Sequence, residues 1–450
     1  MDLLSTFSFA SGGHFEPPYW WVSFFVALLL CIAIFPLVAE HWWENNKNKG
    51  IIAGVLAVPV FVYTIIESPA ALGHSAHEYF SFIVLLWALY TVSGGIVVRG
   101  SLKGKPVVNL IFLAVGAVIA NIFGTTGAAM LLIRPLLRTN EHRQYKKHIV
   151  IFFVFLVANV GGCLTPLGDP PLFLGFLRGV PFAWTLKLFP IWFPTLLVLL
   201  GIFFIWDVKA WKKESEEVKN RDVGNEKFAI VGKINFLFII GVMLSTIFSP
   251  QLSQFSETIG FGLGGGSPWR EFLMILMGLF SMMATPKTLR KENRFNFDAI
   301  IEVAVLFAGI FVTMIPALAL LKTHGNEMGL TQPWQFMWVT GILSSFLDNA
   351  PTYLVFATTG ASVAGVDSIR EMVGSGAGEV LLKGISVGAV FMGANTYIGN
   401  APNFMVKVIA DTADERAVKM PSFFGYMAYS GLILLPVYAV MTLIFFGFIW

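Results

Sequence analysis

A polar stretch rich in glycine and proline interrupts an apolar segment of this 450-residue chain, and a second interruption of the same kind follows later. Residues 159–171 read Asn-Val-Gly-Gly-Cys-Leu-Thr-Pro-Leu-Gly-Asp-Pro-Pro within the segment 148–180. A shift of 231 positions aligns residues 158–174 with residues 389–405 and gives six identities. Paired interruptions in corresponding membrane segments are typical of secondary transporters that bind their substrate near the middle of the membrane. The repeat therefore predicts a protein that moves an ion or a small solute.

The composition also indicates a membrane protein. Hydrophobic residues make up 56% of the chain and charged residues only 13%, too few to cover the surface of a soluble domain of this size. The net charge of +3 is spread over many loops, so nucleic acid is not an expected partner. Cys31 and Cys163 lie in apolar surroundings, and their spacing indicates neither a disulfide nor a metal site. We expect no cofactor.

About ten segments are long and apolar enough to be transmembrane helices, each able to cross a hydrocarbon core of about 30 Å. Alternate loops between them hold 23 of the 30 Lys and Arg residues, and such loops face the cytoplasm. This pattern predicts a multi-pass protein of the bacterial inner membrane with both termini outside. The predicted spans are 20–39, 50–67, 80–98, 148–180, 183–206, 234–249, 270–286, 298–321, 379–410 and 422–449.

Two further apolar segments do not fit as single spans. Residues 107–137 have basic stretches on both sides, so the chain enters and leaves on the same face. About 30 residues are too few for two full crossings, which predicts a re-entrant hairpin with Gly124-Thr125-Thr126-Gly127 at its tip. Residues 332–359 are the counterpart from the opposite face, with Asp348-Asn349-Ala350-Pro351-Thr352 at the tip. Irregular backbone at that depth requires protein or water to satisfy its polar groups.

The order of these segments predicts an inverted repeat in an all-α polytopic membrane protein. Each half contains five spans and one hairpin in the same order, and the two halves begin on opposite faces of the membrane. The predicted parts are a first repeat 1–206 with hairpin 107–137 and broken helix 148–180, a cytoplasmic linker 207–233, and a second repeat 234–450 with hairpin 332–359 and broken helix 379–410.

Each half contributes one carboxylate to the predicted site. Asp169 lies in the first break, where its repeat equivalent is the neutral Asn400, and Asp348 lies at the second tip, where it aligns with Gly124. A charged Asp at this depth costs at least about 2.5 kcal/mol, so it should hold a cation, bind a proton or form an ion pair. Carboxylate, amide and hydroxyl oxygens are hard ligands that suit Na⁺. We therefore expect Na⁺ and H⁺ to compete for Asp348 and Asp169, which would titrate as a pair.

Other polar side chains at the tips and breaks are candidates to complete this ion site. Two simpler roles remain open for them and for the two acids. Both acids precede prolines in positions that suit helix caps, and threonine hydroxyls often bond carbonyls of their own helix. The additional candidates are Thr125, Thr126, Asn159, Thr165, Asn349, Thr352, Asn395, Thr396 and Asn400.

On residues 159–171 and 347–352, the chain resembles the ion transporter superfamily, which includes dicarboxylate and citrate transporters, arsenite exporters and NhaD-like antiporters. It is most similar to the bacterial branch of sodium:proton antiporters and citrate-transporter-like proteins. The resemblance implies that the two hairpin tips and the two breaks enclose substrate and coupling ions. It also implies a homodimer in which a transport domain moves as an elevator against a scaffold.

Together these features predict a transporter rather than an enzyme, since no nucleophile–base constellation is apparent. The favoured function is Na⁺/H⁺ antiport. One alternative is Na⁺- or H⁺-coupled transport of citrate, a dicarboxylate or another organic anion. Another is an arsenite-type exporter, which would require no titrating acid. The expected partners are membrane lipid and a small ion or organic anion.

Overall fold

The computed structural model describes residues 15–43, 45–220, 227, 229–258, 268–413 and 417–448. Most of these residues are helical, which confirms the predicted all-α polytopic membrane fold. Eight helices among them are long and apolar enough to cross a membrane. The chain ends, residues 221–226 and 228 of the predicted linker, and the loop 260–267 lie outside the described part.

The described residues up to 220 form α-helices joined by short connections, one strand and three 3₁₀ turns. The turns are Tyr19–Trp21, Val160–Leu164 and Phe182–Leu188. The other elements are α1 (Val22–Val38), α2 (Glu40–Trp43), α3 (Asn46–Glu67), α4 (Pro69–Ser93), β1 (Val97–Arg99), α5 (Pro106–Thr139), α6 (Lys147–Leu156), α7 (Pro170–Leu177), α8 (Phe189–Lys212) and α9 (Glu216–Asn220).

The described residues after 228 repeat this style of construction. Gly325–Met328 and Gly393–Asn395 are 3₁₀ turns, and Leu443–Phe448 forms a π-helical turn. The other elements are β2 (Ala229–Val231), α10 (Ile234–Ile247), α11 (Ser249–Thr258), α12 (Trp269–Ala284), α13 (Lys287–Glu292), α14 (Asp298–His324), α15 (Pro333–Phe346), α16 (Asn349–Val363), α17 (Ile369–Met372), α18 (Ala377–Met392), α19 (Ala401–Asp411) and α20 (Phe423–Thr442).

Both segments predicted as hairpins change direction at their predicted tips. Gly124 interrupts α5 with φ +73°, a left-handed conformation that suits glycine. A Cβ placed on Gly116 would lie 3.1 Å from Cδ1 of Leu132, so the two limbs of α5 pack side by side. The counterpart consists of α15 and α16, which are separated by Leu347 and Asp348. Insertion of these hairpins from opposite membrane faces stays a prediction.

Both predicted breaks consist of two helices separated by a 3₁₀ turn and an extended residue. In each case the second helix begins with a proline in its first turn, at Pro170 and at Pro402. The backbone packs so closely that a Cβ on Gly399 would lie 2.6 Å from the carbonyl oxygen of Gly393. The equivalent Gly168 lies against the carbonyl of Gly162 in the same way. Only glycine allows this approach at either position.

The helices that precede the breaks lie at the centre of the molecule. Every residue of α6 from His148 to Leu156 is buried, and nearly all of α18 from Leu381 to Met392 is buried as well. A helix that is apolar all around belongs in the interior, surrounded by other helices. These two helices therefore carry the breaks into the protein core.

Two features add to the predicted organisation. Helix α8 continues to Lys212, so the first part of the predicted linker 207–233 is helical and Asp207 is fully buried. Farther along, β2 pairs antiparallel with β1, with Val97 opposite Val231. This small sheet was not predicted, because three-residue strands carry too little pattern to be recognised.

Candidate functional site

Four chain segments meet around the carboxylate of Asp169, whose exposed fraction is 1%. From the first hairpin tip, Thr125 donates its hydroxyl to Oδ1 at 2.8 Å. From the second break, Asn400 donates its amide to the same oxygen at 2.9 Å. From the second hairpin tip, Asn349 donates to Oδ2 at 2.6 Å. Both tips and both breaks thus converge on one acid.

The two predicted acids have different local roles. Asp348 caps α16, since its Oδ1 accepts a hydrogen bond of 3.1 Å from the backbone N–H of Ala350. Asp169 also precedes a helix, but its side chain makes no capping hydrogen bond to α7 and turns toward the other three segments. The capping interpretation therefore describes Asp348 and does not describe Asp169. Asp348 is the neighbour of Asn349, whose amide contacts Asp169, so both acids belong to the region where the second tip meets the first break.

The charge of Asp169 has no basic partner within the described part of the chain. Five carboxyl side chains there are buried, and four of them form ion pairs with arginine. An ionised carboxylate held only by neutral donors is costly in an apolar interior, so it favours binding a cation or a proton. The four paired acids are Glu78 with Arg178, Asp207 and Glu214 with Arg143, and Glu271 with Arg270.

The donors to Asp169 reflect the internal repeat. Thr125 follows Gly124, and Asn349 follows Asp348, the residue that aligns with Gly124 at the other tip. Equivalent tip positions thus contact opposite oxygens of the same carboxylate. The backbone N–H of Thr125 also donates to the carbonyl of Gly168 at 2.8 Å, which attaches the first tip to the first break.

Three more predicted residues attach the breaks to the hairpins without contacting Asp169. The hydroxyl of Thr165 donates to the backbone carbonyl of Asn121, which lies in the first limb of the first hairpin, before Gly124. The repeat equivalent, Thr396, donates to the carbonyl of Ser345 in the second. The amide of Asn395 also donates to the hydroxyl of Ser345, at 2.9 Å. These contacts hold each break against its own hairpin.

Within the described structure, the remaining three predicted residues make no hydrogen bond to Asp169. Thr352 donates to the carbonyl of Asp348 at 2.8 Å, which is the simpler role left open for the threonines. Thr126 is half-buried, and its hydroxyl has no hydrogen-bond partner among the described residues. Asn159 is connected to Asp169 through Asn400, because the Nδ2 of Asn400 donates to the Oδ1 of Asn159 at 3.3 Å.

Asn403 was not among the predicted site residues, and it completes this amide network. Asn403 accepts from Asn159 at 2.7 Å and donates to the carbonyls of Gly393 and Thr396 at 2.8 and 2.9 Å. It therefore connects the first break to the second. A sequence signal was available, because Asn403 is an amide directly after the second break, in the first turn of the mostly apolar α19.

The site also presents oxygen atoms that a cation can use. The side-chain oxygens of Asn349 and Asn395 are buried and accept no hydrogen bond from any described residue. Amide and carboxylate oxygens are the ligands that hard cations prefer. No group of three or more His, Cys, Asp or Glu side chains arranged to hold a metal occurs in the described ranges. Any cation here would thus rely on amide, hydroxyl and backbone oxygens beside one or two carboxylates.

A comparison with protein families agrees with this architecture. Residues 14–446 match the model of a family described as "Putative citrate transport". No curated protein matches the chain. The matched region contains both hairpins, both breaks and Asp169, and it confirms the resemblance to citrate-transporter-like members of the ion transporter superfamily. The chain therefore belongs to this family, and it is a multi-pass membrane protein of the secondary transporter class.

Proposed function

We propose that this protein exchanges Na⁺ for H⁺ across the membrane and that Asp169 is the group for which the two ions compete. The observation that carries the proposal is the isolation of this carboxylate. Asp169 is buried, lies where both tips and both breaks meet, and is the one buried acid in the described residues without an arginine partner. A structural acid would be expected to have a partner like that of Asp207.

The surrounding groups suit both states of the acid. Three neutral donors stabilise the ionised carboxylate without adding a charge that would repel Na⁺. The free side-chain oxygen of Asn349 gives a bound Na⁺ a second ligand beside Oδ2. When a proton binds instead, the carboxyl group is neutral and is no longer costly to bury. Asp348 adds a second negative charge nearby, so the two acids would titrate as a pair.

The hairpin contacts suggest how ion binding would be connected to transport. Thr125 and Asn349 reach Asp169 from opposite tips, so loss of the negative charge would weaken both contacts together. In an alternating-access cycle of the elevator type, this would couple the ion state to the packing of the hairpins. We further propose a homodimer in the bacterial inner membrane, with both termini outside.

Coupled transport of citrate or another organic anion is the second candidate, and the family description favours it. In that case Asp169 would bind the coupling cation. The carboxylates of the substrate would bind near the first turns of α7 and α19, where helix dipoles favour negative charge.

Flux measurements in proteoliposomes distinguish these candidates. Vesicles with a pH dye inside would receive inward gradients of Na⁺, Li⁺, K⁺ or citrate. Antiport predicts that a Na⁺ gradient alone drives proton movement and that this movement disappears in Asp169→Asn. The organic-anion function would replace antiport if two results are found together. Uptake of radiolabelled citrate would depend on Na⁺ or H⁺, and no cation/proton exchange would occur when citrate is absent.

A further inference from the structure

A cavity with a volume of about 330 Å³ lies at the end of the molecule where the sequence places cytoplasmic loops. Its walls are the residues that lead into α6, the last turns of α8, and Tyr429 of α20. Helix α6 is 10 residues long and runs from this cavity to the first break. At a rise of about 1.5 Å per residue, the cavity lies about 15 Å from that break. It is thus separate from the ion site around Asp169.

The cavity wall is rich in lysine. Lys146 and Lys147 line it at the start of α6, and Lys209 and Lys213 line it from the last turns of α8. The two lysines of α8 are four residues apart, so they lie on the same face of the helix. Within the described structure, the wall includes no acidic side chain. The cavity therefore attracts anions.

The acids near the cavity act mainly on one of the four lysines. Burial lowers the pKa of Lys146, and the negative charges of Glu141 and Glu214 oppose this lowering, so Lys146 already has counter-charges. Behind the wall, Asp207 forms its ion pair with Arg143. The other three lysines are exposed, and none of them makes a hydrogen bond or an ion pair with another residue of the described ranges. These three ammonium groups are available to a ligand.

Two aromatic side chains lie deeper in the membrane than the lysines of α8. The rings of Trp206 and Tyr429 are 6.0 Å apart, and both line the cavity where α8 meets α20. Trp and Tyr are enriched where membrane-spanning helices meet the head-group region. Beside them the helices present apolar surface, since Ile205 of α8 is 59% exposed and Leu432 of α20 is 80% exposed. The basic cavity thus adjoins a surface suited to acyl chains.

We propose that this cavity binds the head group of an anionic phospholipid, whose acyl chains lie along the exposed apolar faces of α8 and α20. Lys147, Lys209 and Lys213 would donate hydrogen bonds to the phosphate, which ammonium groups bind as point charges. A free phosphate ion could use the same lysines, but it would leave the aromatic wall and the adjoining apolar surface without a role. A basic cavity between membrane helices, next to such a surface, therefore favours a lipid.

Native mass spectrometry of the full-length protein in an uncharged detergent tests the proposal. The protein is titrated with phosphatidylglycerol or with phosphatidylcholine that has the same acyl chains. We expect the first phosphatidylglycerol molecule to bind about fivefold more tightly or better, because one lysine beside an anionic head group contributes about that factor. Lys209→Gln and Lys213→Gln should each weaken phosphatidylglycerol binding by about fivefold and leave phosphatidylcholine binding unchanged. Equal affinity for the two lipids would overturn the proposal.

Lys212→Gln is the matched control. Lys212 is the neighbour of Lys213 in α8 and is also exposed, but it does not line the cavity. It should bind phosphatidylglycerol like the parent protein, and all three variants should keep the parent Tm because each replaces an exposed side chain near a helix end. Equal losses in Lys212→Gln and Lys213→Gln would show attraction to a general positive surface and would contradict a site in the cavity.

A competition experiment separates the lipid from a soluble phosphate. Glycerol 3-phosphate has the phosphate of the head group and lacks acyl chains. At a concentration equal to that of phosphatidylglycerol, it should leave the bound lipid in place, because it cannot use the apolar faces of α8 and α20. Displacement of the lipid under these conditions would assign the cavity to a soluble phosphate compound instead.

Discussion

Asn400 donates a hydrogen bond of 2.9 Å to Oδ1 of Asp169, and these two residues occupy the same position of the internal repeat, 231 residues apart. If the repeat were identical, two carboxylates would face each other at this point and repel. The chain instead pairs one acid with one amide. The site therefore depends on a difference between the two halves, since the breaks together contribute one carboxylate rather than two.

Removal of the Asn349 amide should weaken Na⁺ binding. Asn349→Ala deletes the donor to Oδ2 of Asp169 and the free amide oxygen beside it. A hydrogen bond to a charged group contributes about 1.5–3 kcal/mol, so the Na⁺ concentration for half-maximal exchange should rise about tenfold or more. Dye-detected proton flux against Na⁺ concentration measures this change. Asn235→Ala is the control, since that buried amide bonds the carbonyl of Gly95 and the hydroxyl of Thr285 rather than Asp169. Equal effects of the two substitutions would argue against a special role for Asn349.

A methyl group at the second break should destabilise the fold. In Gly399→Ala the new Cβ would lie 2.6 Å from the carbonyl oxygen of Gly393 and 2.7 Å from that of Ser344, and neither backbone atom can move aside easily. Overpacking of this kind costs about 1–3 kcal/mol. Thermal unfolding in detergent should show a lower Tm than in Gly201→Ala, where the added methyl meets no atom within 4 Å. A Tm equal to that of the control would mean that the break is looser than described.

The buried ion pair of Asp207 and Arg143 should serve stability and not transport chemistry. Their side chains approach to 2.5 Å, and Asp207 also accepts from Asn109 at 2.9 Å. Arg143→Gln leaves the acid buried without its main counter-charge, which should cost about 3–5 kcal/mol and lower Tm. Asp207→Asn in the same protein should restore part of the loss, because it removes the unpaired charge of Asp207, whereas Glu214 still lacks its arginine. If the double variant is no more stable than Arg143→Gln, the charge is not the cause.

The first hairpin should have both ends on the cytoplasmic face. Single cysteines at Lys105 and Arg138, in a protein with Cys31→Ser and Cys163→Ala, would be treated with a membrane-impermeant thiol reagent. In right-side-out vesicles neither position should react, and in inside-out vesicles both should. Reaction of the two positions from opposite faces would show that α5 crosses the membrane and would contradict the hairpin.

Much of this site was predictable because it depends on local pattern. The glycines and prolines of 159–171 and their copy 231 positions later located the breaks, and the tips located Thr125 and Asn349. The division of roles between Asp169 and Asp348 was not predictable. Both precede a proline-containing helix start, and a capping bond depends on neighbours in sequence, whereas Asp169 turns to donors from three distant segments. Such long-range contacts leave no local signal.

The same reasoning explains the missed residue. Asn403 bonds Asn159, which lies 244 positions earlier in the chain, and a single amide in an apolar helix gives no indication of its partner.

Proton flux in Asp169→Asn, beside Asp348→Asn, tests the central claim most directly. Asn keeps the shape of Asp and caps helices almost as well, so both variants should fold and insert into the membrane. Loss of Na⁺-driven proton movement in Asp169→Asn at every pH is the predicted result. Asp348→Asn keeps the cap of α16 and removes only the nearby charge, so loss of exchange there would make Asp348 part of the same centre. Normal exchange with an unchanged pH profile in the double variant would contradict the account, and coupled organic-anion transport would then be the better assignment.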